Sequence, residues 1–405
     1  MNRALVALLS LHAVSATAQW RNPAFQDNRG GHEIGVFAQA GLMTSSIDYS
    51  LVSDFYTGKS LDREQRESVS SRSTGLQRGG LDLDYGLFYR HMKDSAKVGW
   101  SIMIAERYHG HMAYTGDLFT LAFLGNASLG GRTADLSNSE GLFMRFKQIQ
   151  AGLILRPNSK MTLAIGGGLM WGHQLAAVNV ESGSLYTQPE GEYIDVAAKG
   201  SVMYNTPGAS PFFNAAGFGA GFDLMFNYRH KRLSVTFEAR DMGFISWNSS
   251  TNAQMFDTSL TYSGINIDLF GSSGDPFSNV SADSLINDLT RDRKQESAMM
   301  VLPTSLMVEV EHGISKKDVR LYGGIMYRFI PYFPYMYVGT RAGLGKGFGI
   351  DGRFAYGGSG SWNLGLGLSK DFGKIVTVRA LTYNLEGVFT LGTGTSYALS
   401  VIVRP

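Results

Sequence analysis

Few residues of this sequence stand where covalent chemistry could be done. His109 and His111 flank Gly110, and on a strand the two imidazoles would share one face, where they could hold a metal ion. A zinc site needs three or four ligands, and no third stands beside them. A strand-end cluster of histidine and aromatic rings fits better. Gly357-Gly358-Ser359-Gly360-Ser361 lacks the last glycine of a Gly-x-Ser-x-Gly nucleophile elbow and reads as a turn. Serine, histidine and carboxylates meeting across a wall would be the one route to a hydrolase. Gly217-Phe218-Gly219-Ala220-Gly221 and Gly343 to Gly349 look like phosphate-cradling loops. Such a loop follows a strand and opens a helix. Here glycine recurs at alternate positions inside strand patterns, which lets a sheet bend and lets an interior element approach its backbone. The chain has no cysteine, which excludes disulfides, thiolate catalysis, cysteine-based metal centres and lipidation at a processed N-terminus. No catalytic residue, metal or cofactor is assigned.

What remains is a set of ionisable residues at alternate positions within apolar strands. Asp82, Asp84, Arg90, Arg145, Lys147, Asp195 and Lys199 belong to it in the first half of the chain. Glu238, Arg240, Glu309, Glu311, Arg341, Asp351, Arg353 and Arg379 belong to it in the second. All are expected to line the interior of a barrel. A one-signed lining would point to ion selectivity. The mixed signs point to pairing across the lumen, either as structural filling or as contacts to a solute or a plug.

The elements that must position these residues show a period of two. Leu233, Val235, Phe237 and Ala239 alternate with Arg232, Ser234, Thr236, Glu238 and Arg240. Trp362, Leu364, Leu366 and Leu368 alternate with Asn363, Gly365, Gly367 and Ser369. One face of each strand thus meets an apolar medium and the other a polar one. Candidate strands fall at 34–43, 81–91, 98–108, 142–156, 161–172, 192–204, 215–228, 232–246, 258–268, 303–313, 319–329, 335–343, 347–356, 361–369, 374–384 and 395–404. That is about sixteen, or fourteen if two lie in loops. Many reach the ~9–11 residues of a spanning strand, and tight turns at 157–160, 229–232, 315–318 and 370–374 separate them. Long strands with short turns at one end and longer loops at the other predict an all-β transmembrane antiparallel barrel of 14–16 strands. Closure follows from lipid, where an open sheet edge would leave backbone groups unpaired. Aromatic residues near strand ends (Trp100, Tyr108, Tyr114, Trp247, and Tyr327 to Tyr337 around Pro331 and Pro334) suit interfacial girdles, with carbohydrate stacking as the alternative.

Arg3, the apolar run Ala4 to Leu11 and Ala16-Thr17-Ala18 form an export signal over 1–18, with cleavage before Gln19. The run is too short to span as a helix, which needs ~20 residues. Residues 19–405 would then be the barrel. Within it, 58–75 is charged and serine-rich and reads as a solvated loop, while 270–299 reads as a loop carrying a short helix, either plugging the mouth or hanging outside. Lys and Arg total 36 against 34 Asp and Glu, a balance that gives no support for nucleic-acid binding.

Several segments resemble one family. These are Asn22-Pro23-Ala24-Phe25, Ala105-Glu106-Arg107-Tyr108 with Gly125-Asn126, Gly217 to Asp223, Asp283-Ser284-Leu285, and Arg240-Asp241-Met242-Gly243-Phe244-Ile245-Ser246-Trp247. Together they resemble a Bacteroidota outer-membrane barrel family of unknown function, of the DUF5723 type. The resemblance implies kinship with fatty-acid-channel-like barrels and with accessory barrels of the type IX secretion system. It carries over no catalytic or ligand residue. The expectation is a non-enzymatic outer-membrane barrel of a Gram-negative bacterium, passing small or hydrophobic solutes and surrounded by outer-membrane lipids. A scaffold for surface or secreted proteins, or an outer-membrane hydrolase, is the alternative.

Overall fold

The computed structural model describes residues 21–25, 31–92, 96–205, 215–262, 294–314, 318–389 and 392–405. The first seven wall strands are β1 (Gly31–Thr44), β2 (Leu76–Met92), β3 (Val98–Thr115), β5 (Ser139–Asn158), β6 (Met161–Thr187), β8 (Gly217–His230) and β9 (Leu233–Trp247). The other seven are β13 (Ser305–Gly313), β14 (Val319–Arg328), β15 (Phe333–Gly345), β16 (Phe348–Gly358), β17 (Trp362–Phe372), β18 (Val376–Thr382) and β19 (Gly394–Val403). Each pairs antiparallel with the next, and β19 returns to β1 through Ile34↔Val403 to Met43↔Gly394. The result is a closed barrel of fourteen strands.

Alternation sets the wall. In β3, Ser101, Met103, Ala105, Arg107 and His109 are buried, whereas Trp100, Ile102 and Ile104 are exposed. The outer face carries Ile34, Val36, Leu87, Leu153, Phe222, Leu364 and Leu368, and Leu169 and Val338 reach 62% exposure. An apolar surface of this extent suits hydrocarbon and not water. Exposed aromatics ring both ends: Trp100, Tyr228, Phe348 and Phe372 towards the short turns, and Phe218, Phe244, Tyr356 and Trp362 towards the long loops. Among the described residues no helix is long and apolar enough to span a membrane; the crossing is made by strands. The β15–β16 turn shows why short turns need glycine here, since Gly345, Lys346 and Gly347 all have φ between +50° and +83°.

Two of the sixteen expected strands do not enter the wall. β6 pairs with β8 over Met161–Gly172, then runs past the wall and pairs with β7 (Ile194–Tyr204) over Ala176–Thr187. β7 in turn pairs with β10 (Asn252–Tyr262). With β4 (Thr133–Asp135) and β11 (Lys294–Gln295) they form a sheet beyond the loop end. β12 (Ala298–Val301) continues the β13 line against β9 after a break at Leu302-Pro303-Thr304, where Pro303 has no N–H to donate.

The stretch 58–75 is not a plain solvated loop. It contains a helix, Arg63–Arg72, whose first turn is capped by the Asp62 side chain. Val69 packs with Ile47, Leu51, Tyr114 and Phe119, so the helix sits against Tyr49–Thr57 and Gly116–Leu124. The expected helix within 270–299 lies outside the described residues up to 293. Of the expected girdle aromatics, Trp100, Tyr327, Phe329 and Phe333 face outward. Tyr114, Tyr332, Tyr335, Tyr337 and Trp247 are buried, because strand alternation or a loop fold turns them inward.

Candidate functional site

The lumen is filled in three levels, named here from the short-turn end to the loop end. At the first, Arg21 to Phe25 lies inside the barrel. The Asn22 amide donates to Gln150 Oε1 at 2.6 Å and Asp223 Oδ2 at 2.7 Å, and its backbone N–H donates to Glu238 Oε1 at 2.5 Å. The Pro23 carbonyl accepts from Arg90 at 3.3 Å. Phe25 rests on the wall where there are no side chains to stop it: a Cβ on Gly152 or Gly166 would come within 2.9 Å of the ring. Arg21 pairs with Glu309 at 2.7 Å. Burial works against the charge of Arg21, but Glu309, Tyr337 and Glu238 together outweigh it and raise its pKa.

At the second level β2, β3, β8, β9 and β14 converge on a buried charge network. Register skips between Phe222 and Leu224 of β8, so Asp223 faces both Arg240 and Asp241 across a bulge, with Asp241 at φ +63°. The bulge turns two successive side chains inward. Arg107 grips both oxygens of Asp241, one at 2.9 Å, and also reaches Asp84 at 3.2 Å and Gln148 at 3.3 Å. Asp84 takes further hydrogen bonds from Arg240 at 3.3 Å and Gln39 at 2.7 Å. Beside it Asp82 binds Arg328 at 3.0 Å and His109 at 2.8 Å. The crevice among these groups is about 10 Å³, room for about one water.

At the third level a cavity of about 420 Å³ opens towards the loops. Leu142, Val301, Leu302, Pro303, Ile330 and Pro331 supply most of its lining, with Phe329 at the rim. Its polar groups include His111 and Glu140, 3.4 Å apart. Leu302 and Pro303 line both this vestibule and the crevice below, and are thus the floor between them.

Eleven of the expected interior residues face the lumen, among them Arg90, which is fully buried against Glu33. Asp82, Asp84, Glu238 and Arg240 belong to the levels just described. Arg341 binds Glu311 and Asp351 at 2.8 Å each and Glu309 at 3.5 Å. Arg353 stacks on Tyr383 at 3.6 Å, and Arg379 shares the inward face of β18 with Thr377 and Leu381. Four do not line the lumen. Arg145 and Lys147 share the outer face of β5 with exposed Ile149 and Leu153, because the inward phase is held by Met144, Phe146, Gln148 and Gln150. Asp195 and Lys199 lie on β7, outside the wall, where they meet Thr261 and Glu181. Arg107, Asp223, Asp241, Arg328, Glu33 and the Arg21-Asn22 pair are among the interior residues that alternation in the sequence does not mark. His109 is held by Asp82 and Arg328, and no group of three metal-binding side chains occurs among the described residues.

No curated protein matches the chain in sequence. Among solved structures it is similar to the toluene transporter TodX of Pseudomonas putida, with TM-score 0.44 and 9% identity over 95% of this chain and 91% of that one. The toluene transporter TbuX of Ralstonia pickettii gives TM-score 0.45 and 9% identity, over 95% and 91%. A FadL homologue of Pseudomonas aeruginosa gives 0.47 and 10%, over 95% and 93%. The sequence profile of one family covers residues 23–378, and the chain therefore belongs to that family of unknown function, DUF5723.

Proposed function

We propose that this protein is a non-enzymatic barrel of a Gram-negative outer membrane that takes small apolar solutes into its loop-end vestibule and keeps its lumen shut beneath them. The observation that carries this is the vestibule of about 420 Å³, lined mainly by aliphatic and proline side chains and standing on a floor with only about 10 Å³ of space. That volume suits a small ligand, and apolar lining with a few polar groups is the usual make-up of a solute pocket. The floor and the Arg21–Phe25 segment stand between the vestibule and the short-turn end, so passage needs both to move. In outer-membrane barrels the short turns face the periplasm, which puts the vestibule on the outer surface.

Leu142→Trp fills the vestibule without touching the charge network. Fluorescence titration with N-phenyl-1-naphthylamine, against empty nanodiscs, should show saturable binding to the wild type that weakens at least about tenfold in the variant, or ~1.4 kcal/mol. Equal binding by both would remove the vestibule as the site. A second reading, a scaffold for surface or secreted proteins, is favoured by the β6–β7–β10 sheet standing clear of the wall. Co-purification of a stoichiometric protein partner after mild extraction would support it, and a lone barrel would count against it.

A further inference from the structure

Charge is out of place on the outer face of a membrane wall, yet β3 and β5 carry a cluster there. Glu106 shares the outer face of β3 with exposed Ile102 and Ile104, and Arg145 and Lys147 share that of β5 with Ile149 and Leu153. Arg145 holds Glu106 through Nε at 2.7 Å and Nη2 at 2.6 Å. The Tyr108 hydroxyl donates to the same carboxylate at 3.2 Å, and the Arg145 guanidinium lies 5.2 Å from the Tyr108 ring. Tyr85 stacks beside Tyr108 at 6.5 Å. Register sets Lys147 opposite both Glu106 and Trp171. The Arg145 fork is thus held from one side by Glu106 and backed by rings, which sets it apart from a free surface arginine.

Height decides what such a patch meets. At a strand tilt of about 40°, the run from Leu155 up to Arg145 rises about 25 Å, the height of the apolar band of an outer-membrane barrel. Arg145 and Lys147 therefore lie at the loop-end rim of that band, level with lipid headgroups. The patch has two cations to one carboxylate, with phenol groups alongside. It complements an anion, and an arginine fork matches phosphate oxygens in particular.

We infer that Arg145, Lys147, Tyr85 and Tyr108 form a site for a phosphate of the outer-leaflet glycolipid, lipid A. Glu106 is the positioning residue that aims the Arg145 fork, and Lys147 adds a second positive charge. This rests on the outer-membrane placement proposed above but not on any solute path, so the vestibule can fail while this site stands.

The test uses the full barrel in detergent with defined lipids, read by native mass spectrometry. The wild type should retain bis-phosphorylated lipid A and lose it at least fivefold in Arg145→Gln/Lys147→Gln. Lys147→Gln alone, which leaves the Glu106–Arg145 pair intact, should lower retention at least threefold and carries the test if the double variant folds poorly. Dephosphorylated lipid A should not be retained. Equal retention by wild type and Lys147→Gln, retention of the dephosphorylated lipid, or displacement by an equal concentration of phosphatidylglycerol would each overturn the assignment.

Discussion

Asp241→Asn keeps the shape of the β9 bulge and removes one charge from the lumen floor. Arg107 and Asp241 are both under one-tenth exposed and meet in a two-point grip with one contact at 2.9 Å. Two unit charges about 3 Å apart interact by ~5–6 kcal/mol at an effective dielectric near 20. Removing one partner of such a buried pair costs about 3–5 kcal/mol. Arg107 keeps Asp84 at 3.2 Å, which puts Asp241→Asn near the low end, about 3 kcal/mol. Arg107→Met belongs nearer the high end, about 4–5 kcal/mol, because it leaves the carboxylates of Asp84 and Asp241 facing each other with Arg240 alone to share. The double variant removes one charge of each sign, so its loss should fall short of the sum by at least about 2 kcal/mol. Urea unfolding from phospholipid vesicles reads this, with tryptophan fluorescence as the signal and buried Trp247 on the same strand as Asp241. Losses that add within about 0.5 kcal/mol would mean that the two side chains do not meet, and the locked floor would be refuted.

Gly166→Val drives a Cβ to within 2.9 Å of the Phe25 ring and 3.0 Å of Gln150. It should destabilise the barrel by about 1–3 kcal/mol and expose the bond after Arg21 to trypsin added on the short-turn side; cleavage as slow as in the wild type would refute the docking of that segment. The Glu140 carboxylate in the vestibule should repel a carboxylate head. A medium-chain alcohol or amine should therefore bind at least about tenfold more tightly than the matching alkanoate, and Glu140→Gln should close most of that gap. In the loop-end helix, burial tends to raise the Asp117 pKa, but the hydrogen bonds from Arg132 and the Asp135 backbone N–H, with the Arg132 charge, together hold it below the ordinary carboxylate value. A depressed folded value stabilises above the unfolded pKa of about 4 and is lost as pH falls through the folded one. Amide protection in Gly116–Leu124, taken relative to intrinsic exchange at each pH, should fall below about pH 4 by under ~1 kcal/mol, and Asp117→Asn should remove that fall.

Much of the wall can be read from alternation, since a period of two marks which face meets lipid. Alternation does not say which strand is the partner. Val196 and Ala198 or Leu260 and Tyr262 look like wall residues, yet β7 finds its ladder on the far end of β6, β10 finds its own on β7, and neither enters the circuit. The outward Arg145 and Lys147 could have been caught by phase alone. They stand in step with Ile149 and Leu153 and out of step with Gln148 and Gln150, and polar residues are not always the inward ones. Adjacent Glu106 and Arg107 give the same warning, because two neighbours on a strand cannot both face the lumen. Asp241 escapes such reasoning, since only a bulge lets it join Arg240 inside. Arg328 and Arg21 escape it too: one ends a strand and the other precedes the wall, and their partners Asp82 and Glu309 are distant in sequence. The helix Arg63–Arg72 is hidden by its charge, with Asp62 as its cap and Val69 as its one buried side chain.

The most direct test of a solute-holding vestibule above a shut lumen is photolabelling by an apolar diazirine in nanodiscs, mapped by peptide mass spectrometry with and without excess unlabelled solute. Labelling of the outer wall should not respond to the competitor. Labelling at Leu302–Thr304, Ile330 and Pro331, which line the vestibule, should be competed away and should be absent in Leu142→Trp. Vestibule labelling that no competitor reduces, or label found only on the lipid-facing wall, would contradict the proposed function.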